Sequence, residues 1–139
     1  MFGAGHSCDS HVMTAANPVK VFIAEDSALI RDRVAALLCA EDMDVVGHAQ
    51  TPQDSISGIL AVHPDVVVLD VQLEGGSGLE VLRAVRGTEP AIAFVVFSNN
   101  AGPAYRKRYL GEGARQFLDK TTEFDQLVTA VEHASHHTH

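Results

Sequence analysis

Residues 20–38 read KVFIAEDSALIRDRVAALL. The opening run, centred on Val21, Phe22 and Ile23, is too short and too β-branched for a helix and stops abruptly at two acids, Glu25 and Asp26. That pattern predicts a buried strand. Ser27 then stands where a helix N-cap belongs, and Ile30, Val34, Leu37 and Leu38 recur at i, i+4, i+7 and i+8, which predicts an amphipathic helix. A buried strand that hands over to a helix at a pair of carboxylates is one βα unit.

The same alternation recurs downstream. VVGHAQ (45–50) is a weaker second strand, followed by a helix with Thr51 as cap, Pro52 at its first position, Asp54 closing a capping-box pattern and Ile56, Ile59 and Leu60 inward. DVVVLD (65–70) is a third strand; after the GGSG segment (75–78), expected as a flexible loop, Leu79, Leu82 and Val85 mark a third helix. AIAFVVF (91–97) is a fourth strand, and a poorly patterned helix follows, with Gly102 and Pro103 at its start. RQFLDK (115–120) is the fifth strand, after which Thr122 caps a last helix with Phe124, Leu127, Val128 and Val131 inward. Strands apolar on both faces that alternate with helices require a parallel sheet covered on both sides. A closed eight-fold barrel needs far more chain than 139 residues, so the expected fold is α/β, an open doubly wound sheet of five βα units. In such sheets the ligand site lies at the carboxyl ends of the strands, near the reversal of strand order.

Composition narrows the function. Ten basic against 18 acidic side chains give a net charge of −8, which disfavours binding to a nucleic-acid backbone and suits cations, metals and basic protein surfaces. At 46% hydrophobic and 20% charged the chain is an ordinary globular one. Its apolar stretches are too short to span a membrane, and MFGAGHSCDSHVM lacks the charged and apolar regions of a signal peptide, which predicts a cytoplasmic location. Cys8 and Cys39 read as a tail thiol and a core thiol, with no disulfide framework. Residues 1–18 read as a flexible extension, 19–134 as the domain and 135–139 as a tail. The tail's His133, His136, His137 and His139 read as a frayed polar terminus.

Four of the five strands end in chemistry. Glu25 and Asp26 follow the first, Asp70 the third, Ser98 and Asn99 the fourth, and Asp119 and Lys120 the fifth. Carboxylates crowded on one rim repel each other unless a cation sits among them. Mg²⁺ suits this set, because it takes one or two carboxylates and leaves positions for phosphate oxygens. Lys120 can clamp an anion opposite the metal and Ser98 can donate a hydrogen bond to it. The rim is built for a phosphoryl group.

In these residues the chain resembles the receiver domains of bacterial two-component response regulators, among them the stand-alone, chemotaxis-type members. The resemblance covers Val19 to Ala134 and rests on Glu25 and Asp26, Asp70, Ser98 and Lys120; the steps from Asp26 to Asp70, to Ser98 and to Lys120 are 44, 28 and 22 residues. Gly78 and the aromatic Phe117 also fall at positions of the family pattern.

The resemblance implies a flavodoxin-like fold, (βα)5, and a role for each residue. Asp70 would take a phosphoryl group from a sensor histidine kinase or a histidine phosphotransfer protein. Asp26 would hold Mg²⁺ directly and Glu25 through water, with Asp70 and the backbone carbonyl of Gln72 completing the set. Lys120 would pair with the phosphoryl oxygens. Ser98 would move toward them and vacate space into which Phe117 turns inward, reshaping the face of the fourth helix, fifth strand and fifth helix. Arg106, Lys107 and Arg108 on that helix are the chain's basic cluster, either a solvated face or a docking site for a downstream protein of unknown identity. Nucleic acid and membrane are not expected as partners, and a homodimer remains compatible with the sequence. With the last helix ending near Ala134, no attached output domain is expected.

The chain departs from the family at Glu74 and Thr121, where proline is common, which leaves the isomer of the Lys120–Thr121 bond open. Gln72 and Asn100 occupy positions that tune phosphoryl lifetime in the family. Two other readings compete. A small Mg²⁺-dependent phosphohydrolase would want an acid two residues after the nucleophile, where Gln72 stands, so self-phosphorylation and self-dephosphorylation are expected rather than turnover. A receiver-like module that is never phosphorylated is disfavoured by the intact acid triad.

Overall fold

The structure, a computed structural model, describes residues 18–99 and 102–136. The expectations for residues 1–17 and 137–139, and for Asn100, lie outside the described residues. Five parallel strands, β1 (Lys20–Ala24), β2 (Asp44–Ala49), β3 (Val66–Leu69), β6 (Ala93–Ser98) and β7 (Gln116–Asp119), form one sheet in the order β2-β1-β3-β6-β7. Five helices connect and flank them: α1 (Ala28–Ala40), α2 (Pro52–Val62), α3 (Gly78–Thr88), α4 (Pro103–Gly111) and α5 (Leu127–His136), the last entered through a 3-10 turn at Phe124–Gln126. This is the doubly wound, flavodoxin-like sheet expected from the alternation. Strand order reverses at β1, which pairs with β2 on one side and β3 on the other.

Alternation along each strand feeds two cores. From β1, Val21 and Ile23 meet α1 and α5 through Val34, Leu38, Leu127 and Val131. Phe22 and Ala24 point the other way, toward Ile59 of α2 and Val81, Leu82 and Val85 of α3. The helix starts follow their caps: the Ser27 hydroxyl accepts from the Ile30 amide at 3.3 Å and the Thr51 hydroxyl from the Asp54 amide at 3.1 Å. Glu80 of α3 reaches back to the Ser77 amide at 3.1 Å.

Several expectations are displaced. Residues 72–77 form a hairpin, β4 (Gln72–Leu73) against β5 (Gly76–Ser77), not a loose loop. Gly75 turns it at φ +83°, buried Leu73 pins it to the core, and the Glu74 amide donates to the Gln50 carbonyl at 3.0 Å. On α1 the buried stripe runs through Arg31, Val34, Ala35 and Leu38, so Ile30 and Leu37 are only half-buried. Thr122 does not cap the last helix; Glu123 precedes the 3-10 turn instead, and Phe124 and Val128 are half-buried. Cys39 is half-buried rather than in the core, and none of the described cysteines is a free thiol. The fourth helix buries a single residue, Tyr109, which accounts for its weak pattern. Among the described residues no helix is long and apolar enough to cross a membrane.

Candidate functional site

Main-chain bonds beyond the ladders bring the strand ends to one level. The Glu25 amide donates to the Ala49 carbonyl at 3.0 Å, the Asp70 amide to the Ala24 carbonyl at 2.9 Å, and the Lys120 amide to the Ser98 carbonyl at 2.9 Å. The expected residues Glu25, Asp26, Asp70, Ser98 and Lys120 therefore line one open pocket of about 240 Å³, together with Ser27, Ile30, Gln72 and Asn99. Asp119, also read as a strand-end acid, turns away: its Oδ1 accepts from the Thr121 amide at 2.8 Å and the Thr121 hydroxyl at 2.6 Å, which holds its carboxyl below the usual range.

Inside the pocket the Lys120 ammonium lies 2.7 Å from Glu25 Oε1 and 3.3 Å from Asp70 Oδ2, with all three side chains at most 10% exposed. The second oxygen of each acid is also engaged. Glu25 Oε2 accepts from the Ser27 amide at 3.1 Å, and Asp70 Oδ1 from the Gln72 amide at 3.4 Å. Burial nevertheless wins over these partners: it pushes the Glu25 carboxyl up to about 7, with the Lys120 hydrogen bond opposing and the Asp70 charge adding. Asp70 is also raised by burial against the pull of Lys120. The pocket's lining sets three carboxyl groups, of Glu25, Asp26 and Asp70, against one ammonium.

Asp26 is exposed beside this buried pair, and Glu25, Asp26 and Asp70 each offer an oxygen within 4.8 Å of the others. Hard carboxylate oxygens at that spacing, with surplus negative charge, fit a divalent cation such as Mg²⁺.

Two family positions acquire physical reasons. A Cβ on Gly78 would collide with the carbonyl oxygen of Asp70, so the start of α3 can close on the strand end only with glycine there. No cis peptide bond occurs among the described residues, so Lys120–Thr121 is trans, and Lys120 still reaches both acids.

The face beyond the pocket carries Phe117 and the basic cluster. Phe117 is buried, its ring edge-on to Tyr109 at 5.9 Å. The basic cluster divides: Lys107 and Arg108 are exposed, whereas Arg106 is half-buried and donates to the Phe117 carbonyl at 2.8 Å. Sequence reasoning missed this inward role, and it missed Arg31, which is 9% exposed and donates through Nη1 to the Glu25 carbonyl at 3.0 Å. The signal available for Arg31 was only its place one step along the buried stripe. Ser27 was read as a cap but not as the donor to Glu25.

Comparison with known proteins accords with this geometry. A family model described as the response regulator receiver domain matches residues 21–132. Transcriptional regulatory protein DesR of Bacillus subtilis (strain 168) is 31% identical over 114 residues, covering 81% of this chain and 56% of its own length. A protein-glutamate methylesterase/protein-glutamine glutaminase of Nocardioides sp. is 28% identical over 117 residues, covering 82% of this chain and 32% of its own. The chain thus spans about half the length of the first relative and a third of the second. Among solved structures, a two-component response regulator of the LuxR family from Aurantimonas sp. SI85-9A1 superposes with a TM-score of 0.82 at 23% identity, over 86% of each chain, a likeness of fold.

Proposed function

Because this chain belongs to the response regulator receiver domain family, we propose that Asp70 accepts a phosphoryl group from the phosphohistidine of a sensor histidine kinase or histidine phosphotransfer protein, and that the chain signals by changing its protein-binding face. The observation that supports this best is the placement of buried Asp70 3.3 Å from the Lys120 ammonium and within 4.8 Å of two further acids.

A carboxylate oxygen of Asp70 attacks phosphorus, the phosphorus–nitrogen bond breaks, and the imidazole leaves with its electron pair and regains a proton. Carboxylates need no prior deprotonation at neutral pH for this, and their acyl phosphates can be hydrolysed again. Lys120 swings from carboxylate to phosphoryl oxygens and offsets their charge, and Ser98 donates its hydroxyl to one of them. Glu25, Asp26, Asp70 and the Gln72 carbonyl would hold Mg²⁺, which when bound neutralises charge during the in-line transfer. Ser98 and Phe117, on neighbouring strands β6 and β7, link the pocket to the face of α4, β7 and α5, where Lys107 and Arg108 are exposed to a partner.

The test is intact mass after incubation with Mg²⁺ and acetyl phosphate. One phosphoryl addition, absent in Asp70→Asn, is expected. No addition to the wild type would favour the interaction module, and rapid turnover of unrelated phosphomonoesters the phosphohydrolase.

A further inference from the structure

Strand β7 closes one side of the sheet, so its outer edge has no strand partner. Two of the polar groups along that edge are nevertheless met by side chains. Arg106 Nη1 donates to the Phe117 carbonyl at 2.8 Å, and Glu123 Oε1 accepts from the Asp119 amide at 2.9 Å. The two are joined to each other, with Arg106 Nη2 3.4 Å from the same Glu123 oxygen. The guanidinium also lies 5.2 Å above the centre of the Phe117 ring. Glu123 is held in turn, its amide donating to the Asp119 carbonyl at 2.8 Å.

The bracketed segment ends one residue before Lys120. Its inner edge is fixed by β6 through the Lys120 amide on the Ser98 carbonyl, and its outer edge by these two side chains together with the Glu123 amide on the Asp119 carbonyl. The side chain so aimed carries the ammonium that bridges Glu25 and Asp70. We infer that Arg106 and Glu123 are a positioning pair for Lys120: clamping the free edge of β7, they hold the ammonium at the phosphoacceptor and tie its placement to α4, a helix that buries one side chain, Tyr109. Neither residue touches the reacting atoms. This inference rests on the reading of Asp70 as the phosphoacceptor.

The test uses the full chain with Arg106→Met, which keeps the stem over the Phe117 ring but removes the fork, and with Arg106→Lys, Glu123→Gln and the double variant Arg106→Met/Glu123→Gln. Two quantities are measured: amide hydrogen exchange across residues 117–120, and the initial rate of phosphorylation against acetyl phosphate concentration at saturating Mg²⁺. Loss of either partner is expected to speed exchange of the Asp119 amide at least fivefold. It should raise the acetyl phosphate concentration for half-maximal rate about threefold to tenfold while the maximal rate stays within twofold, with Arg106→Lys intermediate and the double variant no worse than the worse single one, as for groups acting as one unit. Unchanged donor dependence in Arg106→Met and Glu123→Gln, or additive effects of the two, would overturn the inference. If the wild type takes no phosphoryl group, the proposed function fails by itself; the exchange arm then decides, and an unaltered Asp119 amide refutes the clamp.

Discussion

Replacing Glu25 by glutamine should reverse the sign of a stability difference as pH changes. In the folded chain the Glu25 carboxyl keeps its proton up to about pH 7, whereas its ordinary value is 4.5. Between those values the folded state binds more protons than the unfolded one, so stability falls as pH rises through the window, the reverse of an ordinary salt-bridged acid. Across the whole window this amounts to about 3 kcal/mol, at roughly 1.4 kcal/mol per pH unit. Glutamine carries no charge and escapes that loss. It also presents one acceptor oxygen where the carboxyl group, protonated or not, has two facing the Ser27 amide and the Lys120 ammonium, and one donor left unpaired in a buried place costs about 1–2 kcal/mol. Glu25→Gln is therefore expected to be about 1–2 kcal/mol less stable than wild type at pH 5 and about 1–2 kcal/mol more stable at pH 8, with curves crossing near pH 6. Asp70, raised in the same direction, contributes to both curves. The assay is urea unfolding in chelator from pH 5 to 8, in which slopes of the two proteins can be compared directly. Parallel curves with an offset of constant sign would refute the reasoning, because they would mean that burial of Glu25 imposes no charge penalty on the fold.

Three further outcomes are expected. Lys120→Met leaves two buried carboxylates without their cation and should lower stability by about 3–5 kcal/mol at pH 8 and by clearly less at pH 5, where Glu25 takes up a proton; urea unfolding at both values checks this. Asp26→Asn, at an exposed position, should leave chelator-treated stability within about 0.5 kcal/mol of wild type; in thermal melts it should lose most of the gain, about 2.7 kcal/mol, that Mg²⁺ at a hundred times its dissociation constant gives the wild type. Gly78→Ala forces its methyl group against the Asp70 carbonyl and should cost about 1–3 kcal/mol, with acetyl phosphate labelling slowed roughly tenfold to a hundredfold by the displaced nucleophile.

The sheet and the rim were legible because both are written in local pattern. Runs such as VVVL (66–69) are apolar on consecutive residues, and acids or a lysine stand where those runs end. What escaped was set by non-local packing. Arg31 reads as a polar helix residue, yet its stem lies along the core and its head finds the Glu25 carbonyl across the turn. Arg106 reads as part of a solvated cluster, but only its register on α4 and the position of β7 at the sheet edge decide that it faces Phe117. The segment around Gly75 has the composition of a loop, and pairing of Gln72 with Ser77 makes it a hairpin.

That hairpin has a consequence for how the chain can vary. It leaves the sheet at Asp70, turns at Gly75 and returns so that the Gly78 amide donates to the Val71 carbonyl at 2.7 Å, with no space for a side chain against Asp70. The segment is a ruler whose two ends meet at the reactive residue. A library that randomises the exposed positions 72 and 74 at fixed length, keeping Gly75 for its turn, would sample partner contacts beside the pocket, whereas one inserted or deleted residue would unseat the start of α3 and, with it, Asp70.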